Sequence, residues 1–138
     1  MLQGRVDVVE ADVTQAPPHG SWDVGVLCNV VQVLPRAEAH RALVNVGAAI
    51  ESGGSLYIFG HALEDSRLAP ANAVGMNLVF LSVYDGGQSY TEGEHRAWLA
   101  EAGLAEVEVR FGAGPGGGTV IVARKQPAGG EGAAMPQG

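Results

Sequence analysis

The chain has a single cysteine, Cys28, set in an apolar run, so no internal disulfide can staple it and a reducing compartment is expected. Basic residues are scarce: eight Lys plus Arg stand against fifteen Asp plus Glu, for a net charge of -7. They are scattered singly as Arg5, Arg36, Arg41, Arg67, Arg96, Arg110, Arg124 and Lys125. With no basic stripe to neutralise phosphates, nucleic acid and anionic membrane are not expected partners. No apolar run approaches membrane-spanning length, and the opening MLQGRVDVVEAD is acidic where a signal peptide is apolar, so a soluble cytoplasmic protein is expected. The four histidines, His19, His40, His61 and His95, show no metal-ligand spacing, and no metal site is expected. A glycine-rich strand-to-helix turn is also missing. Gly112 to Gly117 matches G-x-G-x-x-G letter for letter, but it lies between two strands and opens no helix, which makes it a turn.

What is present fits one domain over residues 1–125, followed by a tail, 126–138, whose QPAGGEGAAMPQG has too little apolar surface to offset its ordering entropy and is expected to be disordered. Val6, Val8 and Val9 read as a short strand ending in Asp12, and Ala16 to Gly20 as a turn. Val24 to Cys28 reads as a buried strand and Asn29 to Leu34 as a loop or short turn. Pro35 opens a helix whose apolar positions Ala39, Ala42, Leu43, Val46 and Ile50 recur at helical spacing until Gly53 and Gly54. Ser55 to Phe59 reads as a strand covered on both faces, and Pro70 to Val83 as an apolar helix.

Thr91 and Glu94 form a T-x-x-E capping box, opening a helix that packs Trp98, Leu99 and Ala102 and stops at Gly103. Val107 and Val109 alternate with Glu106, Glu108 and Arg110 in a half-exposed strand, and Val120 to Ala123 is a last buried strand. Two closing strands joined by a turn predict an antiparallel edge. The fold class is therefore α/β, Rossmann-like: the back half of a doubly wound, mostly parallel sheet with an antiparallel edge strand.

The segments VDVVEADV, WDVGVLCNVVQVL, GGSLYIFGHALEDS and NLVFLSVYDGGQSYTEGEHRAWLAEAGL, in this order and spacing, resemble the C-terminal catalytic domain of the class I S-adenosylmethionine-dependent O-methyltransferases of the small-molecule, hydroxyindole and plant type. The last segment is the most specific. The resemblance implies methyl transfer to an oxygen of a small, aromatic acceptor. It also implies an N-terminal truncation, because the family's first strand, its D-x-G-x-G-x-G loop and its dimerisation region would precede Met1. A fragment of that kind is expected to bind S-adenosylmethionine weakly or not at all, to be inactive alone, and to be marginally stable because a buried sheet edge is uncovered. A homodimer or a complementing chain is implied for the full-length form. The alternative is a non-catalytic binding or assembly module that kept the fold. A dehydrogenase of shared topology ranks behind both.

For cofactor contact the resemblance leaves Asp12 and Val13, near the adenine, and the strand end at Cys28 and Asn29. Asp12 reads equally as a carboxylate that caps a turn. The family's catalytic His matches Gln32, which cannot act as a general base, and two assisting Glu match Gly60 and Ser89. Gln32 is thus a polar substrate contact, a mark of changed or absent chemistry, or a turn residue. His61, at the carboxyl edge where doubly wound folds hold ligands, is the best substitute base in the chain, with His95 behind it, the alternative for a lone histidine being an ordinary surface residue. Met76, Phe80, Tyr84, Gln88 and Tyr90 fall where relatives line the acceptor pocket, although Met76, Phe80 and Tyr84 also have the spacing of core packing.

Overall fold

The computed structural model describes residues 4–127. Its strands form one sheet in the order β1-β2-β4-β3: β1 is Trp22–Cys28, β2 Ile50–Gly60, β3 Leu104–Arg110 and β4 Thr119–Lys125. β1 and β2 run parallel, and β4 runs antiparallel to both β2 and β3, so the antiparallel member sits one place in from the β3 edge. The helices are α1, Arg36–Ala48; α2, Ala71–Val83; and α3, Glu92–Glu101. Leu43 and Val46 of α1 and Trp98 and Leu99 of α3 meet Leu27, Leu56, Ile58, Leu104 and Ile121 of the sheet in one core.

Three sequence expectations need correction. Residues 6–10 form no strand; Val8 is 96% exposed, because a short apolar alternation becomes a strand only where a neighbour offers backbone partners. β1 is not buried on both faces. It is an edge strand that turns Leu27 into the core while Val24 and Val26, at 54% and 58% exposure, stand on the opposite face. In β2, likewise, Leu56 and Ile58 are buried and Tyr57 and Phe59 are half-buried. β2 also begins at Ile50 rather than Ser55: Trp22 pairs with Ile50 and Val24 with Ser55, and the chain between bulges through Gly53 at φ 83°. The apolar helix forms as α2 with Pro70 as its N-cap, burying only Ala73 and Phe80 and leaving Leu78, Val79 and Leu81 exposed. From residue 128 onward the expected disordered tail lies outside the described residues.

The capping box forms as read: the Glu94 amide donates to the Thr91 hydroxyl at 3.2 Å, and the Thr91 amide to Glu94 Oε1 at 2.8 Å. Glu94 also pairs with Arg36 and Arg67, tying α3 to the start of α1 and to the loop after β2. Burial pulls its carboxyl upward, but the Thr91 amide and the two guanidiniums outweigh this and hold it below the ordinary carboxylate range. Its contribution to stability is therefore fully present above the unfolded pKa and lost as pH falls through the lower folded value. Thr91→Ala is expected to cost about 0.5–2 kcal/mol near neutral pH. Urea titrations of both proteins at pH 7 and pH 4 check this, and the difference between them should shrink at the lower pH.

Candidate functional site

β1 and β2 end side by side, because Cys28 pairs with Phe59, and the turns that follow bring Gln32 and His61 together. After β1 the chain passes through Asn29, at φ 58°, into a single 3-10 turn over Val31–Val33. That turn carries Gln32 inward, where it is buried. Its side-chain amide Nε2 donates to Asn29 Oδ1 at 3.1 Å, and its Oε1 lies against Gly60: a Cβ built on that glycine would sit 2.5 Å from the oxygen. Gln32 and Gly60 are thus a matched pair, in which the bare backbone of one makes room for the amide of the other.

His61 follows directly, and with Gln32, Gly60, Tyr90, His95 and Thr119 it lines a narrow cavity with room for the centre of about one water molecule. The His61 ring is part-exposed and its centroid lies 5.9 Å from the ring of Phe80, which in turn lies 6.3 Å from Tyr84. Nδ1 of His61 is buried with no hydrogen-bond partner, and burial lowers the pKa of the ring. His95 is fully enclosed on α3. Burial pushes its pKa down against the Thr91 carbonyl and the Glu94 charge, which raise it. Both imidazoles are therefore neutral near pH 7, and a neutral imidazole can accept a proton.

The remaining candidates divide. Phe80 is buried, Met76 and Gln88 are part-buried, and Tyr84 is exposed, so α2 and the turn after it offer a partly open aromatic face beside His61. Tyr90 is a correction. It has no exposed surface, its hydroxyl donates to the Leu34 carbonyl at 2.5 Å, and its ring meets Trp98 edge-on at 5.2 Å, which makes it a core residue. Ser89 is buried too, its Oγ without a partner and its amide donating to Asn77 Oδ1 at 2.8 Å.

The cofactor-side residues do not assemble into a cradle. Asp12 Oδ1 accepts from the Thr14 amide and hydroxyl at 3.0 and 2.6 Å, the turn-capping alternative, and these bonds hold its carboxyl below its ordinary pKa. The next two carbonyls, of Val13 and Thr14, accept from Asn45 and Arg41 of α1, which anchors this segment on the outside of that helix. Cys28 is exposed and Asn29 is engaged with Gln32 and Cys28 at the end of β1. Among the described residues no group of three His, Cys, Asp or Glu could hold a metal ion, and no helix is long and apolar enough to cross a membrane.

Sequence reasoning missed the parts of this site that depend on strand register. Thr119 reaches the cavity because β4 pairs it with Gly60, and its hydroxyl accepts from the Ala62 amide at 3.1 Å. Nothing in the local sequence marks that residue.

Comparison with known proteins gives the following. A 3-hydroxy-5-methyl-1-naphthoate 3-O-methyltransferase of Streptomyces sahachiroi is 30% identical over 125 residues, which is 90% of this chain and 36% of that protein. The tetracenomycin polyketide synthesis 8-O-methyl transferase of Streptomyces glaucescens is 24% identical over 103 residues, 75% of this chain and 30% of that one. The chain therefore spans about a third of the length of the curated relatives it matches. Among solved structures, an O-methyltransferase family protein from Burkholderia thailandensis superposes with a TM-score of 0.79 at 22% identity, over 92% of this chain and 38% of that chain. Human N-acetylserotonin methyltransferase, solved with S-adenosylmethionine, gives a TM-score of 0.72 at 22% identity, over 89% and 34%. No family model matches.

Proposed function

We propose, from a chain whose homologues are O-methyltransferases, that it carries the acceptor side of such an enzyme, delivering a small aromatic hydroxyl to a methyl donor. The observation that supports this most is the convergence of Gln32 and His61 at the ends of β1 and β2, beside the aromatic face of Phe80 and Tyr84. An aromatic acceptor would stack on that face, with Met76 and Gln88 at its border.

S-adenosylmethionine would supply an electrophilic methyl on a sulfonium, for which Asp12, Val13, Cys28 and Asn29 are the contacts this chain offers. Of these, Asp12 and Asn29 already spend their side chains on neighbours, so the chain alone holds that cofactor weakly or not at all. On the acceptor side, His61 takes the hydroxyl proton as the oxygen is methylated, and Gln32 positions. A neutral imidazole suits this work near pH 7, where an amide has no basic site. The exposed Val24 and Val26 stripe favours a further covering partner, whether a complementing polypeptide or a second copy, in a cytoplasmic setting consistent with the free thiol of Cys28.

A second reading has its own support: with Gln32 and Gly60 in its lining the cavity holds no carboxylate, as in a domain kept for binding alone. One experiment addresses both. Titrating a hydroxynaphthoate into the isotope-labelled chain should shift amide and ring signals of His61, Phe80 and Tyr84; shifts confined to other surfaces would overturn the acceptor-site reading. Mass spectrometry of the same mixture with S-adenosylmethionine and any covering polypeptide then separates turnover from binding alone.

A further inference from the structure

The cavity behind His61 is too small for an acceptor, yet three of the side chains lining it bring unspent hydrogen-bonding capacity. The first is His95. Its Nδ1 lies 2.9 Å from the Thr91 carbonyl oxygen, which can only accept, so Nδ1 carries the proton and Nε2 is a bare acceptor. The second is Gln32, whose Nε2 is spent on Asn29 Oδ1, leaving Oε1 as an acceptor against Gly60. The third is Nδ1 of His61, buried without a partner.

We propose that these three side chains bind one structural water, which accepts a hydrogen bond from His61 Nδ1–H and donates one to His95 Nε2 and one to Gln32 Oε1. The count closes: each of the three otherwise idle atoms gains a partner, and the water makes three bonds, the usual number for a buried water. The room available fits one such molecule.

The consequence concerns the tautomer of His61. Two acceptors behind the water favour the proton on Nδ1, which leaves Nε2, the other ring nitrogen, free to take a proton from outside the cavity. When Nε2 does so, Nδ1–H keeps its bond to the water, and no buried group is stranded. Gln32 and His95 are thus positioning residues that act through the water, and the departure of Gln32 from the family's His becomes part of a rearranged base rather than a gap. This rests on His61 as the proton acceptor, but its test does not need turnover.

Nitrogen-15 spectra of the imidazoles at pH 8, where both rings are neutral, report the tautomer directly. His61 is expected as the Nδ1–H form in the intact chain. In His95→Phe and in Gln32→Leu it should move toward the Nε2–H form that free histidine prefers, while His95→Gln, which keeps an acceptor facing the cavity, should restore it. Amide spectra identify variants that fail to fold, and the two single substitutions disturb different elements, so one folded variant is enough. An Nε2–H His61 in the intact chain, or a tautomer unmoved by both substitutions, overturns the proposal. Loss of hydroxynaphthoate binding with the tautomer as expected would instead fault the acceptor-site reading.

Discussion

Tyr90→Ala is expected to leave little folded protein, and Tyr90→Phe to cost about 1–2 kcal/mol while keeping the fold. The residue joins three elements at one point. Its ring sits edge-on to Trp98 of α3 at 5.2 Å, the Arg36 guanidinium of α1 lies 5.4 Å above it, and its hydroxyl donates to the Leu34 carbonyl that precedes α1. Truncating a buried aromatic to alanine costs about 3–5 kcal/mol, close to the whole stability of a small domain whose edge strand leaves Val24 and Val26 exposed. The phenylalanine variant isolates the hydroxyl. Burial pushes the Tyr90 pKa up to about 12, with Arg36 opposing and the Glu94 charge adding. A raised folded pKa means this contribution is present below the unfolded value near 10 and lost as pH rises from there toward 12. Urea unfolding at pH 7 and across the alkaline range checks both points: Tyr90→Phe should be less stable at pH 7 and should lose part of the alkaline decline. Equal stability at pH 7 with an unchanged alkaline decline would mean that the hydroxyl is not held as described.

What could be read from the chain, and what could not, divides along the range of the interactions involved. The Thr91–Glu94 box and the glycine stop at Gly103 were legible because they close within a turn of backbone. The alternation of Val107 and Val109 with charged residues was legible because β3 has one wet face. Val6 to Val9 and Val24 to Cys28 look alike locally, and only the second became a strand, because β2 was there to pair with it. Whether β1 lies inside a sheet or at its edge is likewise set by what stands beside it, not by its own valines. The order of motifs places both Tyr90 and Phe80 among the acceptor contacts. One is locked into the core by Leu34 and Trp98, while the other faces His61, a difference made by contacts 56 positions apart in sequence for the Tyr90 hydroxyl. At the site itself the order of motifs pointed to Gln32 and His61. The fit of Gln32 against Gly60 and the arrival of Thr119 needed the β2–β4 register.

Gly118→Ala is expected to destabilise the chain by about 1–3 kcal/mol, the range for overpacking, whereas Gly75→Ala should stabilise it by about 0.5–1 kcal/mol. The contrast follows from what a new methyl would meet. At Gly118, which closes the 3-10 turn over Pro115–Gly117, the backbone φ is an ordinary -74°, so alanine pays no conformational penalty. Its Cβ, however, would sit 2.5 Å from the Gly60 carbonyl oxygen, and backbone on both sides cannot swing aside as a flexible side chain can. Relief must come from parting β4 from β2 where Thr119 pairs with Gly60. Thr119 holds the Ala62 amide and lines the His61 cavity, so the strain reaches the site: amide signals of Gly60, His61 and Ala62 should shift together with the loss of stability. At Gly75, inside α2, nothing lies within 4 Å of the new methyl, and only the lower backbone entropy of the unfolded chain counts. The glycine-rich run that matches a nucleotide motif by letter is therefore followed directly by a glycine, Gly118, required by the packing of β4 onto β2. Substitutions of equal sign at the two positions, measured by urea midpoints, would show that something other than this close approach governs Gly118.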